Sequence, residues 1–434
     1  MIVKPSTPPC GWNSYDAYGT TIDEKAAYDN LSVFVEKLKP AGYEYFVLDA
    51  GWYARHTFPE LLEVKRRGGR QERFIDQWGR FISSPTLFPH GVRALSDACH
   101  AAGVKFGVHL MRGIPVPAVE ANTPVKGHPT AHARDIVDPD HQCNWCDYFR
   151  PVNMDVDGAQ AFYDSEAEYL LDDLQVDFVK FDDATPYVRE IDALARALDR
   201  HPRPVVLSLS PGSSVSPLCW RDYAKWASMV RITGDVWDRP GDNLMKFDRW
   251  LLVQDFAGNG CWPDLDMLPL GRLQQNVPEG LSTNEVPLGC RRDSRLSEME
   301  KRTLLTQIAL ASSPLFFGGD LPNSADADIA MATDPDLLDC NRNGEVGRQI
   351  FRGRLIDIRR SRRVDDPEHG WLGIFYTQWN VNGMRHESFS AKELGFDGPL
   401  PEAFHDVWEK KAVPTSNGRL ELTFPSYGCH FLRY

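Results

Sequence analysis

The chain contains no run of 18 consecutive apolar residues, so the sequence predicts no transmembrane helix. Its first 15 residues, MIVKPSTPPCGWNSY, also lack the basic and apolar segments of a signal peptide. A chain trimmed of its leader would read the same way. We expect a cytoplasmic protein, and a secreted or periplasmic one only if a leader has been removed.

An excess of positive charge is absent too. The formal net charge is -13 and the isoelectric point is about 5.4. Because an acidic surface repels nucleic-acid phosphates and anionic membranes, we expect neither as the main partner. A neutral small molecule fits this charge better, and a homo-oligomer is compatible with the sequence.

Cysteines and histidines show little of the spacing that metal sites need. The nine cysteines are an odd number and imply no disulfide framework. Cys143 and Cys146 form a lone CxxC in HQCNWC, where buried or loop thiols are favoured over a structural zinc. No HExxH or His-x-His spacing occurs, so we expect neither a metal nor an organic cofactor.

What the sequence does contain is an alternation of short β-rich runs with helix-like segments. Between residues 10 and 320 the runs are CGWNSY, YEYFVLDAGW, VKFGVHLM, VDFVKFDD, PVVLSLSPG, MVRITGD, CWPDLDML and SPLFFGGD. Segments such as 23–42 and 91–103 read as helices between them. Eight such units predict an α/β fold, a (β/α)8 TIM barrel. A doubly wound open sheet is the alternative, but no G-x-G-x-x-G follows the first strand.

Near the end of the chain the helical segments disappear. The runs LGIFYTQWN, HESFSA, EAFHDVW and RLELTFPSYGCHFLRY indicate a small antiparallel β-domain. We predict a catalytic barrel over residues 1–345 and a β-domain over residues 346–434. No low-complexity linker separates them, so we expect the two to pack rigidly.

Polar residues follow the ends of the predicted barrel strands, which is where barrel enzymes keep their catalytic groups. In chain order these candidates are Asp49, Trp52, His109, Arg112, Lys180, Asp182, Asp183, Ser208, Ser210, Arg231, Asp235, Trp262, Asp264 and Asp266. Carboxylates accept hydrogen bonds from sugar hydroxyls, and tryptophan rings stack on the apolar face of a pyranose. The composition of this rim therefore indicates a carbohydrate substrate.

The run VDFVKFDD shows which of its charged residues face the mouth. Side chains alternate along a strand, so Lys180 and Asp182 share one face with Phe178, while Asp183 shares the other with Phe181. We expect Lys180 and Asp182 to look into the mouth. The alternative is that an aspartate here only caps the following helix.

Six blocks of the sequence resemble a known family in the right order. They are PPCGWNSYDAYG, AGYEYFVLDAGWY, VDFVKFDD, VRITGDVWD, CWPDLDMLPLG and RTLLTQIALASSPLFFGGDL. From about residue 8 to residue 345 the chain resembles glycoside hydrolase family 27, the α-galactosidase (melibiase) family, as a divergent member. The resemblance implies a TIM barrel followed by a C-terminal antiparallel β-sandwich.

The resemblance also implies a retaining mechanism and a set of roles. Asp182 stands at the nucleophile and Asp235, in RITGD, at the acid/base. The positions at which that family keeps sugar-binding residues are here Trp12, Asp49, Lys180, Arg231 and Asp266. Retaining hydrolysis requires residues of these types. It uses two carboxyls roughly 5 to 5.5 Å apart, and a neighbouring cation keeps the nucleophile ionised.

The sequence departs from the family pattern in the sugar subsite. Ala50 stands where the family has a second aspartate, SLSPGSS replaces a Cys-Glu-Trp run, and His109 replaces a common tyrosine. The long third loop, HLMRGIPVPAVEANTPVKGH, could bring Arg112 or His128 to the substrate, or these could brace the loop. The subsite is therefore predicted to be partly rebuilt.

The leading interpretation is a retaining exo-glycosidase that acts on a terminal α-galactoside or a stereochemically related sugar. A β-L-arabinopyranosidase or an isomaltodextranase-type α-glucan hydrolase of the same fold are alternatives. From other classes come a Schiff-base lyase with Lys180 as nucleophile and a carbohydrate-binding protein without turnover.

Overall fold

The computed structural model describes residues 1–143, 146–185, 187–213, 215–239, 241–353, 355–377 and 383–434. Eight parallel strands form one curled sheet. They are β1 (Cys10–Asn13), β2 (Tyr45–Leu48), β3 (Lys105–Met111), β4 (Phe178–Asp182), β5 (Val206–Leu209), β6 (Met229–Arg231), β7 (Trp262–Asp264) and β8 (Leu315–Phe317). β8 pairs with β1, and a parallel bridge between Leu268 and Phe317 joins the other end of the sheet to β8. The prediction of a (β/α)8 barrel is confirmed, with all eight predicted strands in place.

The barrel interior is a packed core. Large apolar side chains that point inward fill it, as a pleated strand requires for its buried face. They include Tyr45, Val47, Phe178, Val206, Met229 and Phe316. Because these residues occupy the interior, the ends of the strands are left to shape a mouth.

Helices surround the barrel. Their bounds are α1 (Tyr15–Tyr18), α2 (Glu24–Val33), α3 (Phe58–Arg66), α4 (Val92–Ala101), α5 (Val116–Ala121), α6 (Ala133–Ile136), α7 (Ala159–Glu168), α8 (Val188–Arg200), α9 (Trp220–Trp226), α10 (Asp242–Val253), α11 (Glu298–Leu310), α12 (Asp326–Ala332) and α13 (Pro335–Asn343). The predicted helical segments at 23–42 and 91–103 are confirmed as α2, extended by a π-helical turn over Phe34–Leu38, and α4. In the part of the chain that the structure describes, no helix has the length and apolarity to span a membrane.

Local sequence explains where these helices begin and which face they bury. Asp23 caps α2 by accepting a hydrogen bond from the N–H of Ala26. Along α8, Ile191, Leu194 and Leu198 are buried at helical spacing, while the arginines of the other face are exposed.

Two long insertions rise above the mouth of the barrel. Residues 55–91 carry α3, and residues 112–158 carry α5 and α6. Within the second, a two-stranded ribbon pairs Ile114–Pro115 with Phe149–Arg150. A second ribbon pairs Arg272–Leu273 with Arg292–Asp293. The two insertions supply cavity walls that strand ends alone do not provide.

The C-terminal part is a β-sandwich, as predicted. Its strands are β9 (Arg348–Arg352), β10 (Ile356–Arg362), β11 (Gly370–Tyr376), β12 (Arg385–Ser390), β13 (Ala403–Asp406), β14 (Lys411–Pro414), β15 (Arg419–Phe424) and β16 (Cys429–Arg433). An antiparallel sheet of order β9-β10-β11-β16-β13-β14 faces the pair β12-β15. Leu372, Ile374 and Leu432 of one layer pack with Phe389 and Leu420 of the other.

Three of these strands did not stand out in the sequence. β9 and β10 lie in an arginine-rich stretch. Buried arginine there is neutralised by an ion pair, since Arg359 donates to Asp357 at 2.6 Å. β14 is short and mostly exposed. The end of the predicted run LGIFYTQWN, residues 378–380, lies outside the described residues.

The sandwich packs on the barrel through α11. Trp371, Phe375 and Phe431 belong to the same hydrophobic core as the barrel, and the indole of Trp408 donates to Thr306 Oγ1 at 2.9 Å. The boundary between residues 345 and 346 stays a prediction, as does the rigidity of the contact.

Candidate active site

One cavity of about 370 Å³ opens at the carboxyl ends of the barrel strands. Seven of the predicted site residues line it together. They are Asp49, His109, Lys180, Asp182, Arg231, Asp235 and Asp266. They come from five different strands or the turns that follow them, so only barrel closure brings them into one cavity.

Asp182, the last residue of β4, points into the cavity, as the alternation predicts. Its carboxylate accepts hydrogen bonds from Ser210 Oγ at 2.8 Å, from the N–H of Asp183 at 2.9 Å, and from His109 Nε2 at 3.3 Å. Burial alone would raise the pKa of Asp182. The bond from His109, with the charges of Lys180 and Arg231 nearby, instead holds that pKa well below its usual range. The carboxylate is therefore ionised across the physiological range.

His109 orients this carboxylate from the neighbouring strand. Its Nδ1 lies 3.4 Å from the hydroxyl of Tyr53 and its Nε2 faces Asp182. With a proton on Nε2, that atom donates to Asp182, and an unprotonated Nδ1 can accept from the tyrosine. His109, which stands where the family commonly has tyrosine, thus aims a donor at the predicted nucleophile.

Lys180 and Asp49 form a buried ion pair beside Asp182. Lys180 Nζ lies 2.7 Å from Asp49 Oδ2, which also accepts from Asn13 Nδ2 at 2.8 Å. Burial works to lower the pKa of Lys180, but the charges of Asp49 and Asp182 raise it above its usual value. A protonated amine cannot attack a carbonyl, so this environment disfavours Lys180 as a Schiff-base nucleophile.

Arg231 joins two further carboxylates. It forms ion pairs with Asp235 and, at 3.3 Å, with Asp266. Asp235 is 66% exposed, whereas Asp266 is 3% exposed and accepts from the N–H of Val236 at 2.8 Å. Burial raises the pKa of Asp266, and Arg231 offsets only part of this rise. Burial and Asp266 together raise the pKa of the neighbouring Asp264 to about 7.

Four predicted site residues do not line the cavity. Trp12 is fully buried, with its indole donating to Gly319 O at 2.8 Å. The indole of Trp52 donates to His109 O at 2.8 Å. Arg112 and Asp183 are both fully buried and paired with each other at 2.7 Å. Strand alternation turns Asp183 away from the cavity, as it does Phe181.

Two other predicted residues are also absent from the cavity lining. Ser210 is 1% exposed and reaches Asp182, without belonging to the cavity lining. His128 pairs with Asp157 at 3.1 Å, also away from the cavity. Cys143 and Cys146 are free thiols, and Cys146 lines the cavity. Within the described ranges, no group of three or more His, Cys, Asp or Glu side chains is arranged to hold a metal ion.

The cavity also contains residues that sequence reasoning missed. They include Tyr15, Asp16, Ala50, Tyr53, Arg73, Met111, Phe149 and Trp237. From the sequence, Ala50 is distinguished only by standing where the family has a second aspartate. Tyr15 follows Trp12 by three residues, and only the turn after β1 decides which ring reaches the cavity.

Asp16 is the most unusual of these missed residues. It is 1% exposed, and its Oδ2 has no hydrogen-bond partner among the described residues. Burial and the nearby Asp266 raise the pKa of Asp16 well above its usual value.

Comparison with known proteins gives relatives over nearly the whole chain, although no family model matches. A solved GH27 β-L-arabinopyranosidase from Geobacillus stearothermophilus is 31% identical, with a TM-score of 0.86 over 99% of this chain and 96% of that one. A variant of the same enzyme was solved in complex with arabinose.

Two further relatives carry related names. A putative α-N-acetylgalactosaminidase from Bacillus halodurans is 28% identical, with a TM-score of 0.81 over 98% of this chain and 96% of that one. Alpha-galactosidase A of Cellvibrio japonicus is 24% identical, over 98% of this chain and 91% of its own length. The likeness extends through the sandwich as well as the barrel.

Proposed function

Because the chain belongs to glycoside hydrolase family 27, we propose that the cavity at the mouth of its barrel is the active site of a retaining exo-glycosidase. Such an enzyme removes a terminal sugar in two displacement steps and keeps the anomeric configuration. The substrate is a terminal α-galactoside or a glycoside of a stereochemically related sugar.

The observation that carries this proposal is a pair of carboxyl groups in contrasting environments on one cavity. The side chain of Asp182 is 15% exposed, accepts hydrogen bonds from three directions and has a lowered pKa. The side chain of Asp235 is 66% exposed. The first suits a nucleophile that must stay ionised. The second suits an acid/base that must exchange its proton with water.

In the first step, a carboxylate oxygen of Asp182 attacks the anomeric carbon. The bond from that carbon to the aglycone oxygen breaks, and Asp235 gives this oxygen its proton. In the second step, Asp235 takes a proton from water, whose oxygen attacks the same carbon and releases Asp182. Two inversions return the original configuration.

The ion pair of Lys180 with Asp49 would bind the sugar. Lys180 can donate to ring hydroxyls with the protons that Asp49 does not use, and Asp49 can accept from them with its free lone pairs. Both groups are held by burial before the substrate arrives, which lowers the entropic cost of binding.

Ala50 supports a finer assignment, to β-L-arabinopyranosides. Its methyl group lines the cavity where the family resemblance expects a second carboxylate, and a methyl group cannot accept a hydrogen bond. β-L-Arabinopyranose shares the ring configuration of α-galactose but lacks the exocyclic hydroxymethyl group. A sugar without that hydroxyl loses nothing at Ala50. The relative at 31% identity carries this activity in its name.

A panel of nitrophenyl glycosides tests the proposal. Hydrolysis of the β-L-arabinopyranoside is expected to exceed that of the α-galactoside, the α-glucoside and the α-N-acetylgalactosaminide, with the retained anomer as first product by proton NMR. Trapping by borohydride in the presence of substrate is expected to fail. An inverted first product, or a borohydride-stable adduct, would contradict the mechanism, and a strong preference for the α-galactoside would contradict the finer assignment.

A further inference from the structure

The cavity wall carries a cation that the proposed reaction does not use. Arg73 belongs to the insertion over residues 55–91, lines the cavity and is partly exposed. Its backbone forms an antiparallel bridge with Ala54, and its N–H donates to the hydroxyl of Tyr148 at 3.1 Å. These contacts fix the backbone of Arg73 from two sides.

The guanidinium of Arg73 is held as well. Its Cζ lies 4.0 Å from the centroid of the Tyr148 ring, so the two groups stack. Nη1 donates to the carbonyl of Gln71 at 3.2 Å. Among the described residues, Nε and Nη2 donate to no carboxylate or carbonyl oxygen, and the guanidinium also interacts with the Tyr148 hydroxyl. One edge of the guanidinium, with two roughly parallel N–H donors, is therefore left for a ligand.

The other two lysine and arginine residues of the cavity differ in this respect. Lys180 is paired with Asp49, and Arg231 with Asp235. In the described part of the chain, no carboxylate forms an ion pair with Arg73. Five aspartates and three lysine or arginine residues line the cavity. An anionic group on a substrate would be repelled elsewhere in the cavity and attracted at Arg73.

Arg73 lies outside the group of residues around the nucleophile. The N–H of Phe74, the residue after Arg73, donates to the carbonyl of Tyr53 at 2.9 Å, so the two segments are adjacent. Tyr53 contacts His109, and His109 contacts Asp182. Arg73 is thus separated from the nucleophile by two side chains, on the insertion that forms the rim. In an exo-glycosidase the terminal sugar occupies the closed end of the cavity, so a partly exposed residue of the rim is placed to contact the aglycone.

We propose that Arg73 forms an aglycone subsite that binds a carboxylate on the leaving group, so that the enzyme prefers glycosides of acidic aglycones such as a uronic acid residue. The inference rests on the proposed glycosidase function. A carboxylate is favoured because its two coplanar oxygens match the free Nε–Nη2 edge in a bidentate pair.

The experiment compares two substrates that differ only in charge far from the reacting bond. They are the β-L-arabinopyranosides of 4-hydroxyphenylacetic acid and of its amide, whose phenols are similar leaving groups. Wild type is expected to cleave the acid with about 5- to 10-fold higher kcat/KM, and 0.5 M NaCl should reduce this ratio. Arg73→Gln should bring the ratio to about one. Arg73→Lys should restore it only in part, because an ammonium lacks the bidentate edge.

Arg55→Gln is the matched control. Arg55 lies in the same insertion and stacks on Phe74 at 4.7 Å, but it is paired with Glu72 and does not line the cavity. This variant should keep the wild-type ratio. Thermal unfolding of each variant shows that it is folded.

Equal kcat/KM for the two substrates in wild type, or an undiminished preference in Arg73→Gln, would sink the inference. A larger preference for a phosphorylated aglycone than for the carboxylate would show that the class of anion is wrong. Calorimetric binding of both glycosides to Asp182→Ala separates the two proposals. Tighter binding of the acid without turnover by wild type would refute the glycosidase function and keep the subsite.

Discussion

The ammonium nitrogen of Lys180 lies 2.7 Å from Oδ2 of Asp49, and only 10% and 2% of the two side chains are exposed. A second pair, Lys105 with Glu44, is equally short at 2.6 Å, but its side chains are 50% and 56% exposed. The two pairs have similar distances but differ in their exposure to solvent. Water screens the second pair, whereas the first holds two charges in place inside the cavity.

Asp49→Asn is therefore expected to destabilise the fold far more than Glu44→Gln. Leaving the Lys180 charge buried without its partner should cost about 3 kcal/mol of unfolding free energy, against less than about 1 kcal/mol for the surface pair. Urea unfolding of both variants measures the difference. Similar losses for the two would show that the buried pair contributes no more than an exposed one.

The roles of the two carboxyls can be distinguished by how the Asp182→Ala and Asp235→Ala variants respond to azide. Asp182→Ala lacks the nucleophile, so activity should fall to near background on every leaving group. Asp235→Ala should still cleave a dinitrophenyl glycoside, because the dinitrophenolate leaving group departs without protonation. Azide should then speed turnover, because it attacks the glycosyl-enzyme in place of unactivated water. Proton NMR of the glycosyl azide should show the starting anomeric configuration. Substantial activity in Asp182→Ala would remove its assignment as nucleophile.

Ala50→Asp is expected to shift specificity toward α-galactosides. The new carboxylate can accept from the outer hydroxyls of a hexose, and a charged hydrogen bond of this kind contributes roughly 1.5 to 3 kcal/mol, or one to two decades in rate. The measurement is the ratio of kcat/KM for the α-galactoside to that for the β-L-arabinopyranoside. Ala50→Asn, which adds similar volume without charge, is the control. No change in the ratio would mean that position 50 does not set specificity.

The raised pKa of Asp264 predicts how the stability of the fold depends on pH. Its pKa in the folded protein is about 7, above the value of about 3.9 in an unfolded chain. Between these values only the unfolded chain releases the proton, so this residue's contribution to stability is present at low pH and is lost as pH rises to 7. Asp264→Asn does not titrate, and it can still accept from the N–H of Asp266.

The stability of Asp264→Asn relative to wild type should therefore rise by about 2.6 kcal/mol between pH 5 and pH 8. Urea unfolding at the two pH values checks this, with the exposed Asp255→Asn as a control that should show little change. A difference that stays constant with pH would show that Asp264 titrates normally.

The sequence by itself determined the strand and helix order of the barrel. Each of the eight β-rich runs is short, apolar and closed by polar residues, so local pattern sufficed to place β1 to β8. Alternation within β4 also determined that Lys180 and Asp182 share a face, because the side-chain period of a strand is two. The arginine-rich β9 and β10 escaped prediction, since their charges are paired by neighbours that local pattern does not show.

Only the tertiary structure decided which side chains meet in the cavity. Beyond the end of a strand, direction depends on the turn, and so Tyr15 reaches the cavity while Trp12 is buried behind it. Arg112 was expected at the substrate but neutralises buried Asp183. Arg73 lies in an insertion without periodic pattern, and its place at the rim follows from stacking on Tyr148, 75 residues further along the chain. Contacts between residues so distant in sequence leave no local signal, because they arise only when the insertions pack against each other.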